Sequence, residues 1–319
     1  MKTLIIRTLS GAVYVALIVW AILWNDFAFA AVFAVLAALT TYEFHKLTNK
    51  QENVNALAWL GAMGSFVLFL CVFVMFLRKY IYENDIDYSE NYLFNLYNSI
   101  VPIFMIFYIC LIISIFITEI FRKKTNPINN IAYTFLGQMY IAVPFLFMII
   151  IKNYSIPIFL LAIFIIIWVN DSFAYLSGST FGKHKMFERI SPKKSWEGFF
   201  GGLIGSFIAA YLLFKYLPEE IFYVNFYYNL NFWQWLIFAL IIVIFGTLGD
   251  LFESLIKRTI GVKDSGNIMP GHGGFLDRLD SVLFVLIPIC VYLEIIASYN
   301  HYLFNKNVIS VHTISTFNF

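Results

Sequence analysis

The chain alternates long apolar runs with short polar stretches, and this alternation limits the folds it can adopt. A helix needs about 20 mainly apolar residues to cross the hydrocarbon core of a bilayer, where every backbone polar group must be satisfied internally. Apolar residues make up 61% of the sequence and charged residues 13%, whereas soluble domains carry about 25% charged residues. The sequence therefore predicts an all-α, polytopic integral membrane protein.

About nine runs are long enough to span a membrane. The predicted spans are residues 8–24, 27–43, 55–77, 99–121, 132–151, 156–176, 198–216, 233–253 and 279–299. The first two runs are short and meet at Asn25-Asp26, so a tight hairpin or a re-entrant pair is an alternative to two full crossings. Lys2 and Arg7 before an apolar run that ends near Ala28-Phe29-Ala30 also resemble a signal peptide. Because a second apolar run follows at once, retained anchors are favoured.

Basic residues predict the orientation, since loops rich in Lys and Arg stay in the cytoplasm. With the N-terminus inside, the inner loops hold His45 and Lys46, Arg122-Lys123-Lys124, and the stretch KHKMFERISPKKS at 183–195. The loop at 217–232 has two glutamates and no Lys or Arg. This reading puts the tail at 301–319 outside and three polar, glycine-rich stretches at the cytoplasmic face of a cell membrane. Those stretches are residues 170–202, 246–267 and 270–281.

Composition and motif spacing argue against several other classes of protein. The three cysteines all lie inside predicted spans and are far apart in sequence, so neither a disulfide framework nor a cysteine-based zinc site is indicated. The net charge of +2 comes with no basic tail, so no nucleic-acid partner is expected. The GxG at 271–273 does not follow a strand, and GxxxxGK[ST] does not occur, so neither a Rossmann nor a P-loop site is expected.

The first polar stretch begins inside a predicted span. Asn170-Asp171 interrupts an apolar helix, and an ionisable side chain at that depth indicates function unless it is a polar contact between helices. The basic loop that follows could serve orientation alone, and Ser195 is placed to cap the next helix. Glycines then recur at helical spacing, which close helix packing explains. They are Gly198, Gly201, Gly202 and Gly205.

The second and third stretches put charge at the ends of two spans. On a helix Asp250, Glu253, Ser254 and Lys257 share one face, which indicates either a cation site or a mutually neutralised ion-pair helix. In PGHGGFLDRLDS, three glycines can bring backbone N–H groups close to an anion. Two aspartates three residues apart then suit Mg²⁺, although helix capping would explain one of them.

Together these residues resemble a known family. SLIKRTIGVKDSGNIMPGHGGFLDRLDS, from Ser254 to Ser281, closely resembles the signature of phosphatidate cytidylyltransferases, the CDP-diacylglycerol synthases. That signature reads approximately SxxKR, four residues, then KDxGxxxPGHGGxxDRxD, and every fixed position is filled. Upstream, NDSFAYLSGSTFGKHK and SPKKSWEGFFGG resemble the family's second conserved region, where a threonine is often seen at the position of Ser195. Residues 1–130 are supported only by the pattern of spans.

The resemblance implies a reaction of CTP with phosphatidate that gives CDP-diacylglycerol and pyrophosphate and requires one or two Mg²⁺ ions. Residues 131–300 would then form the catalytic region, after N-terminal helices at 1–130 and before a tail at 301–319. The residues expected to be catalytic are Asp250, Lys257, Arg258, Asp277 and Asp280, and the expected metal ligands are Asp250, Asp264, Asp277 and Asp280. Substrate contacts are expected from Asn170, Asp171, Lys193, Lys194, Ser195, Lys263, Gly271, His272, Gly273, Gly274 and Arg278.

Other readings stay open at this point. A CTP-dependent kinase of polyprenols or phytol would also need a polyanion site among helices, and a CDP-archaeol synthase would run the same reaction on an ether lipid. A transporter would show broken helices in both halves, whereas here the polar chemistry lies in the second half. His272 could be a structural turn residue rather than a phosphate contact. Besides CTP, phosphatidate and membrane lipids as partners, the sequence leaves a homodimer open.

Overall fold

The computed structural model describes residues 2–83, 92–154, 157–217, 229–271 and 273–315. Within these ranges nine helical segments are long and apolar enough to cross a membrane, as predicted. The helices are α1 Lys2–Leu23, α2 Asp26–Thr48, α3 Ala58–Glu83, α4 Tyr92–Phe121, α5 Pro127–Gly137, α6 Val143–Tyr154, α7 Pro157–Phe181, α8 Trp196–Tyr216, α9 Phe232–Ile260 and α10 Leu276–Ser315. One span combines α5 and α6, which are joined by a π-helical turn at Gln138–Ala142.

The first two apolar runs form separate helices. α1 has 22 residues and α2 has 23, and at about 1.5 Å per residue each exceeds the 30 Å thickness of a hydrocarbon core. Asn25 ends the connection in an extended conformation, and its side chain accepts a hydrogen bond from Ala28 N at 2.7 Å. Each of the two runs is therefore long enough for a full crossing.

The end of α2 corrects one prediction. His45 and Lys46 were expected in a cytoplasmic loop, but α2 continues to Thr48 and His45 is fully buried. The prediction was wrong because polar side chains in the last turns of α2 contact neighbouring helices instead of solvent. His45 Nε2 lies 3.2 Å from Thr134 O, and Thr41 Oγ1 lies 2.8 Å from Ser65 Oγ.

The described chain divides into two compact units. The first comprises Met1–Ile149 and Thr247–Phe284, and the second comprises Ile150–Gly246 and Val285–Phe319. The two units differ in which residues contact each other, and this says nothing of their function. The functional boundaries predicted at residues 130 and 300 therefore stay a prediction. The first unit contains the signature stretch from Ser254 to Ser281, and the second contains the NDSFAYLSG and SPKKSWEG segments.

The π-helical turn places Tyr140 of the first unit against α9 and α10, the two helices that carry parts of the signature. Gln138 Nε2 donates hydrogen bonds to Gly61 O at 2.6 Å and Ser65 Oγ at 3.2 Å, which hold the turn against α3. Tyr140 then packs edge-on against Phe252 of α9, with ring centroids 5.1 Å apart, and against Phe284 of α10 at 6.1 Å. Such turns often mark functional positions, and this one contacts the helices that carry the predicted carboxylates.

In the second unit, α7 and α8 pack through the glycines that the sequence analysis assigned to close helix packing. A Cβ at Gly202 would overlap Asn170 Oδ1, and one at Gly201 would overlap the Ser177 side chain. Gly198 is buried, and a Cβ there would lie 3.0 Å from Ala174 O. Since only glycine leaves room for this approach, the packing explanation is confirmed.

A short β-hairpin joins these two helices and was not predicted. β1, Lys185–Phe187, pairs antiparallel with β2, Ser191–Ser195. The sequence indicated only turns in this polar segment. In the structure, its backbone groups instead pair as two short strands. The predicted cap is confirmed, because Ser195 Oγ accepts a hydrogen bond from Gly198 N at 3.2 Å at the start of α8.

Gly205 offers a test of the α7–α8 packing. A Cβ at this position would lie 2.5 Å from Phe173 Cγ, so Gly205→Val should destabilise the protein by about 1–3 kcal/mol through overpacking. Thermal unfolding of the detergent-solubilised protein measures the change. Ile204→Val is the matched control, because Ile204 is 60% exposed. An unchanged unfolding midpoint for Gly205→Val would contradict the packing.

Candidate active site

The last turns of α9 carry the predicted polar face. Ser254 Oγ donates a hydrogen bond to Asp250 Oδ1 at 3.2 Å, and Lys257 forms an ion pair with Glu253 one turn before it. The Glu253 side chain is only 1% exposed and that of Lys257 is 13% exposed. A carboxylate buried this deeply needs a partner, so the ion-pair alternative describes part of this face.

Lys257 also connects α9 to the start of α10. Its Nζ donates to Asp277 Oδ1 at 2.7 Å while it pairs with Glu253. The ammonium therefore lies between two carboxylates on different helices. Because charge-assisted hydrogen bonds are stronger than neutral ones, this arrangement fixes the end of α9 against the beginning of α10.

Asp277 accepts hydrogen bonds from both ends of the signature loop, residues 265–274, and from α9. Its carboxylate accepts hydrogen bonds from Ser265 N at 3.0 Å, Ser265 Oγ at 2.9 Å and Gly274 N at 2.8 Å, as well as from Lys257. Asp277 lies in the first turn of α10, where a negative charge is stabilised by the helix dipole. The capping alternative that the sequence left open for one aspartate thus describes Asp277.

Two of the three glycines predicted in the signature loop adopt the left-handed conformation expected of them. Gly271 has φ 75° and Gly273 has φ 85°, a region that other residues rarely enter. Gly274 is needed for a different reason, because a Cβ there would overlap Ser265 Oγ. His272 lies outside the described residues, so its predicted contact stays a prediction.

A polar cavity of about 500 Å³ lies in the first unit and is lined in part by the signature loop. Its lining offers three cations, one carboxylate, a carboxamide and glycine backbone. The lining residues are Arg7, Lys263, Asp264, Asn267, Met269, Pro270, Gly271, Gly273 and Arg278. Several donors around one cavity suit an anion with many oxygens, since Arg binds such groups bidentately and Lys supplies a point charge.

The structure thus brings most of the predicted residues of the signature together. Lys263, Asp264, Arg278, Gly271 and Gly273 line the cavity, whereas Gly274 is outside its lining and Lys257 is engaged with carboxylates. Arg258 is exposed on the last turn of α9, outside the cavity lining, and its phosphate contact stays a prediction.

Carboxylates of α9 and α10 form a second group in the same unit. Asp250, Glu253 and Asp280 are near enough to Tyr140 for their charges to act on its hydroxyl, which is buried with no hydrogen-bond partner in the described part of the chain. Asp280 Oδ1 accepts a hydrogen bond from Ser281 N at 2.6 Å. Within the described ranges, no group of three or more His, Cys, Asp or Glu side chains is arranged to hold a metal ion.

This donor set nevertheless fits the way in which Mg²⁺ is usually held. Mg²⁺ binds oxygen ligands, commonly one or two carboxylates completed by substrate phosphates. Asp250 and Asp280 supply carboxylate oxygens near an unpartnered hydroxyl. Asp277 is engaged by Lys257, Ser265 and Gly274, and Asp264 lines the cavity instead. The four-residue metal assignment stays a prediction.

The remaining predicted residues belong to the second unit. Asn170 and Asp171 lie on α7, where Asn170 Nδ2 donates to Asp171 Oδ1 at 3.5 Å and the Asp171 side chain is exposed. On β2, Lys193 is exposed and Lys194 is half-buried, while Ser195 is buried as the cap of α8. Asn170 also contacts Gly202, so the alternative of a polar contact between helices describes this residue in part.

Glu197, in the first turn of α8, contacts His184 in the segment before the hairpin. His184 Nδ1 lies 2.6 Å from Glu197 Oε1, and His184 N donates to the same carboxylate at 3.2 Å. A glutamate in the first turn of a helix is the signal that could have indicated this contact. The pair fixes the entry of the chain into the hairpin.

Two residues of the first unit were missed by the sequence analysis. Arg7 of α1 lines the cavity, and Ser10 Oγ donates to Pro270 O at 3.0 Å. Glu43 of α2 is 3% exposed and accepts a hydrogen bond from Leu276 N at 3.1 Å. A charged residue inside an apolar run is the signal that could have identified Glu43, whereas Arg7 resembled part of a signal peptide.

Comparison with known proteins agrees with this geometry. A protein named phosphatidate cytidylyltransferase from Staphylococcus haemolyticus is 41% identical over 167 residues, and one from Staphylococcus aureus strain COL is 44% identical over the same length. Each match covers 52% of this chain and 60% of the relative. The model of the cytidylyltransferase family matches residues 5–296, which cover most of both units and the whole signature. The chain therefore belongs to the cytidylyltransferase family.

Proposed function

We propose that the protein is a phosphatidate cytidylyltransferase, which converts CTP and phosphatidate into CDP-diacylglycerol and pyrophosphate. The observation that carries the proposal is the cavity that joins Arg7, Lys263 and Arg278 to the glycine loop. Its volume of about 500 Å³ is within the range of small-molecule sites. The names of the relatives support the same reaction.

The chemistry requires two polyanions to meet. An oxygen of the phosphatidate phosphate attacks the α-phosphorus of CTP, a new P–O bond forms, and the bond from that phosphorus to the bridging oxygen of the β-phosphate breaks. Pyrophosphate leaves with the electron pair. Positioning and charge neutralisation supply most of the catalysis in such transfers. The cations of the cavity would hold the triphosphate and the departing pyrophosphate.

Mg²⁺ fits as the cofactor, and Asp250 and Asp280 are the residues proposed to hold it. A bound Mg²⁺ would neutralise charge on the phosphate oxygens. The role of Asp277 in this proposal is structural as well as electrostatic, because it ties Ser265 to Gly274. The loop between these two residues contributes most of the cavity lining.

The second unit is proposed to contact the lipid substrate. Lys193 and Lys194 carry positive charge on β2, and Asn170 and Asp171 put polar groups on α7. The two ammonium groups and the Asn170 carboxamide suit the phosphate of a lipid headgroup, whereas the Asp171 carboxylate would need a cation or a hydroxyl donor. The excess of basic residues in the loops predicted as internal supports a cell membrane with the site facing the cytoplasm.

Labelled CTP tests the proposed reaction. Purified protein is incubated with phosphatidate, Mg²⁺ and CTP that carries ³²P at either the α or the γ position. The proposed transfer puts the α label into the lipid and the γ label into pyrophosphate, and EDTA stops both. A CTP-dependent lipid kinase would instead put the γ label into the lipid and release CDP, which would overturn the proposal.

Arg7 provides a prediction specific to the cavity. Arg7→Ala should raise the KM for CTP by about tenfold or more, because a cation facing a phosphate contributes a charge-assisted hydrogen bond. Initial rates at varied CTP measure the effect. Lys46→Ala is the control, since Lys46 is an exposed cation stacked on Tyr42. Equal KM values in wild type and Arg7→Ala would remove Arg7 from the site.

A further inference from the structure

A buried glutamate lies behind the wall of the cavity. Glu43 comes from α2, more than two hundred positions before the signature loop, yet its Oε2 accepts a hydrogen bond from Leu276 N at 3.1 Å with a separation of 233 residues. The residue is 3% exposed. Burying a carboxylate at a helix start is costly unless backbone donors and the helix dipole compensate.

The loop is shaped around this carboxylate. A Cβ at Gly266 would overlap Glu43 Oε1, and a Cβ at Gly274 would lie 2.5 Å from Glu43 Oε2. Glycine at both positions is what lets the two ends of the loop close on Glu43. Asp277 connects the same two ends from another direction, because it accepts hydrogen bonds from Ser265 N and Gly274 N.

One oxygen of Glu43 is left without a partner. Oε1 is buried and has no hydrogen-bond partner among the described residues. A buried polar atom in this state is destabilising. A neutral side chain at this position would lose less free energy on burial. A role in stability alone therefore does not explain the presence of a glutamate.

We propose that Glu43 is a positioning residue that sets the shape of the anion cavity by fixing both ends of the loop from Ser265 to Gly274. It acts through the loop and through α10 rather than by touching substrate. The inference deepens the proposed function and rests on it, because the substrate whose binding should change is CTP. Glu43 should consequently affect CTP binding more than turnover.

The test compares Glu43→Gln with a matched control. Glu119 is also a buried carboxylate of the first unit, 5% exposed, and it is paired with Arg122 at 2.6 Å and accepts from Asn130 at 3.2 Å. Glu43→Gln should raise the KM for CTP about tenfold with a smaller change in kcat, whereas Glu119→Gln should lower thermal stability without changing that KM. Equal effects of the two variants on KM would overturn the proposal.

A second variant and a second measurement keep the proposal testable if Glu43→Gln folds poorly. Gly266→Ala keeps every charge but places a methyl group against Glu43 Oε1, so it should raise the same KM. Amide hydrogen exchange of the full-length protein should accelerate in residues 265–276 in both variants, and Glu43→Asp should recover part of the protection. Exchange confined to α2, or unchanged everywhere, would contradict the proposal. Hydrogen exchange is measured without substrate, so its result does not depend on the proposed reaction. It therefore distinguishes a wrong role for Glu43 from a wrong assignment of the reaction.

Discussion

Asp277→Asn should lower kcat/KM for CTP by about 10²-fold, the loss expected when the groups of a site are displaced by about 1 Å. The amide cannot accept from Lys257, Ser265 and Gly274 as the carboxylate does, because it has one acceptor oxygen instead of two. The loop that lines the cavity should loosen and the ammonium should lose a counter-charge. Steady-state rates at saturating phosphatidate and varied CTP measure the effect.

Asp26→Asn is the matched control for this substitution. Asp26 also lies in the first turn of a helix, α2, and the change in charge and shape is identical. It should leave kcat/KM close to the wild-type value. Near-normal activity of folded Asp277→Asn at limiting Mg²⁺ would show that Asp277 is neither a metal ligand nor needed to close the loop.

Lys257→Met should be the most destabilising single change among the cations of the site. It leaves Glu253, which is 1% exposed, and Asp277 without their shared ammonium. Removing one partner of a buried ion pair costs about 3–5 kcal/mol. Methionine preserves most of the volume, so the loss would come from charge. Thermal unfolding and CTP kinetics on the same preparation measure the two consequences.

A double variant separates stability from substrate binding. Glu253→Gln combined with Lys257→Met removes one uncompensated carboxylate, so much of the lost stability should return. Activity should stay low, because Asp277 still lacks its cation. Lys46→Met serves as the control for removing a lysine from an exposed position. If the double variant regained wild-type activity, Lys257 would have no part in the reaction beyond pairing with Glu253.

Much of the fold could be predicted because the bilayer imposes a length on every crossing. All nine predicted spans correspond to helices that are long and apolar enough to cross. Errors arose where polar side chains pair inside the protein. His45 looked like a loop residue since its partner, Thr134 O, is 89 residues away in sequence. The β-hairpin at 185–195 was missed because its strands are too short for a periodic pattern.

The site could be predicted to the extent that its residues are close in sequence. Gly271 and Gly273 have the positive φ angles that the loop pattern indicated, and Asp277 lies at a helix start as expected. Local spacing could not show that Asp277 is engaged by protein donors, since Ser265 is 12 residues away. Arg7 and Glu43 were missed because only the tertiary fold brings α1 and α2 to the signature loop.

The contact between α1 and the signature loop also affects when the protein can become active during synthesis. Ser10 donates to Pro270 O across 260 residues, so one side of the cavity leaves the ribosome long before the other. At about 5–20 residues per second, α1 must wait about 13–52 s for its partner. We therefore expect a nascent chain arrested before Pro270 to insert into the membrane yet lack a CTP site.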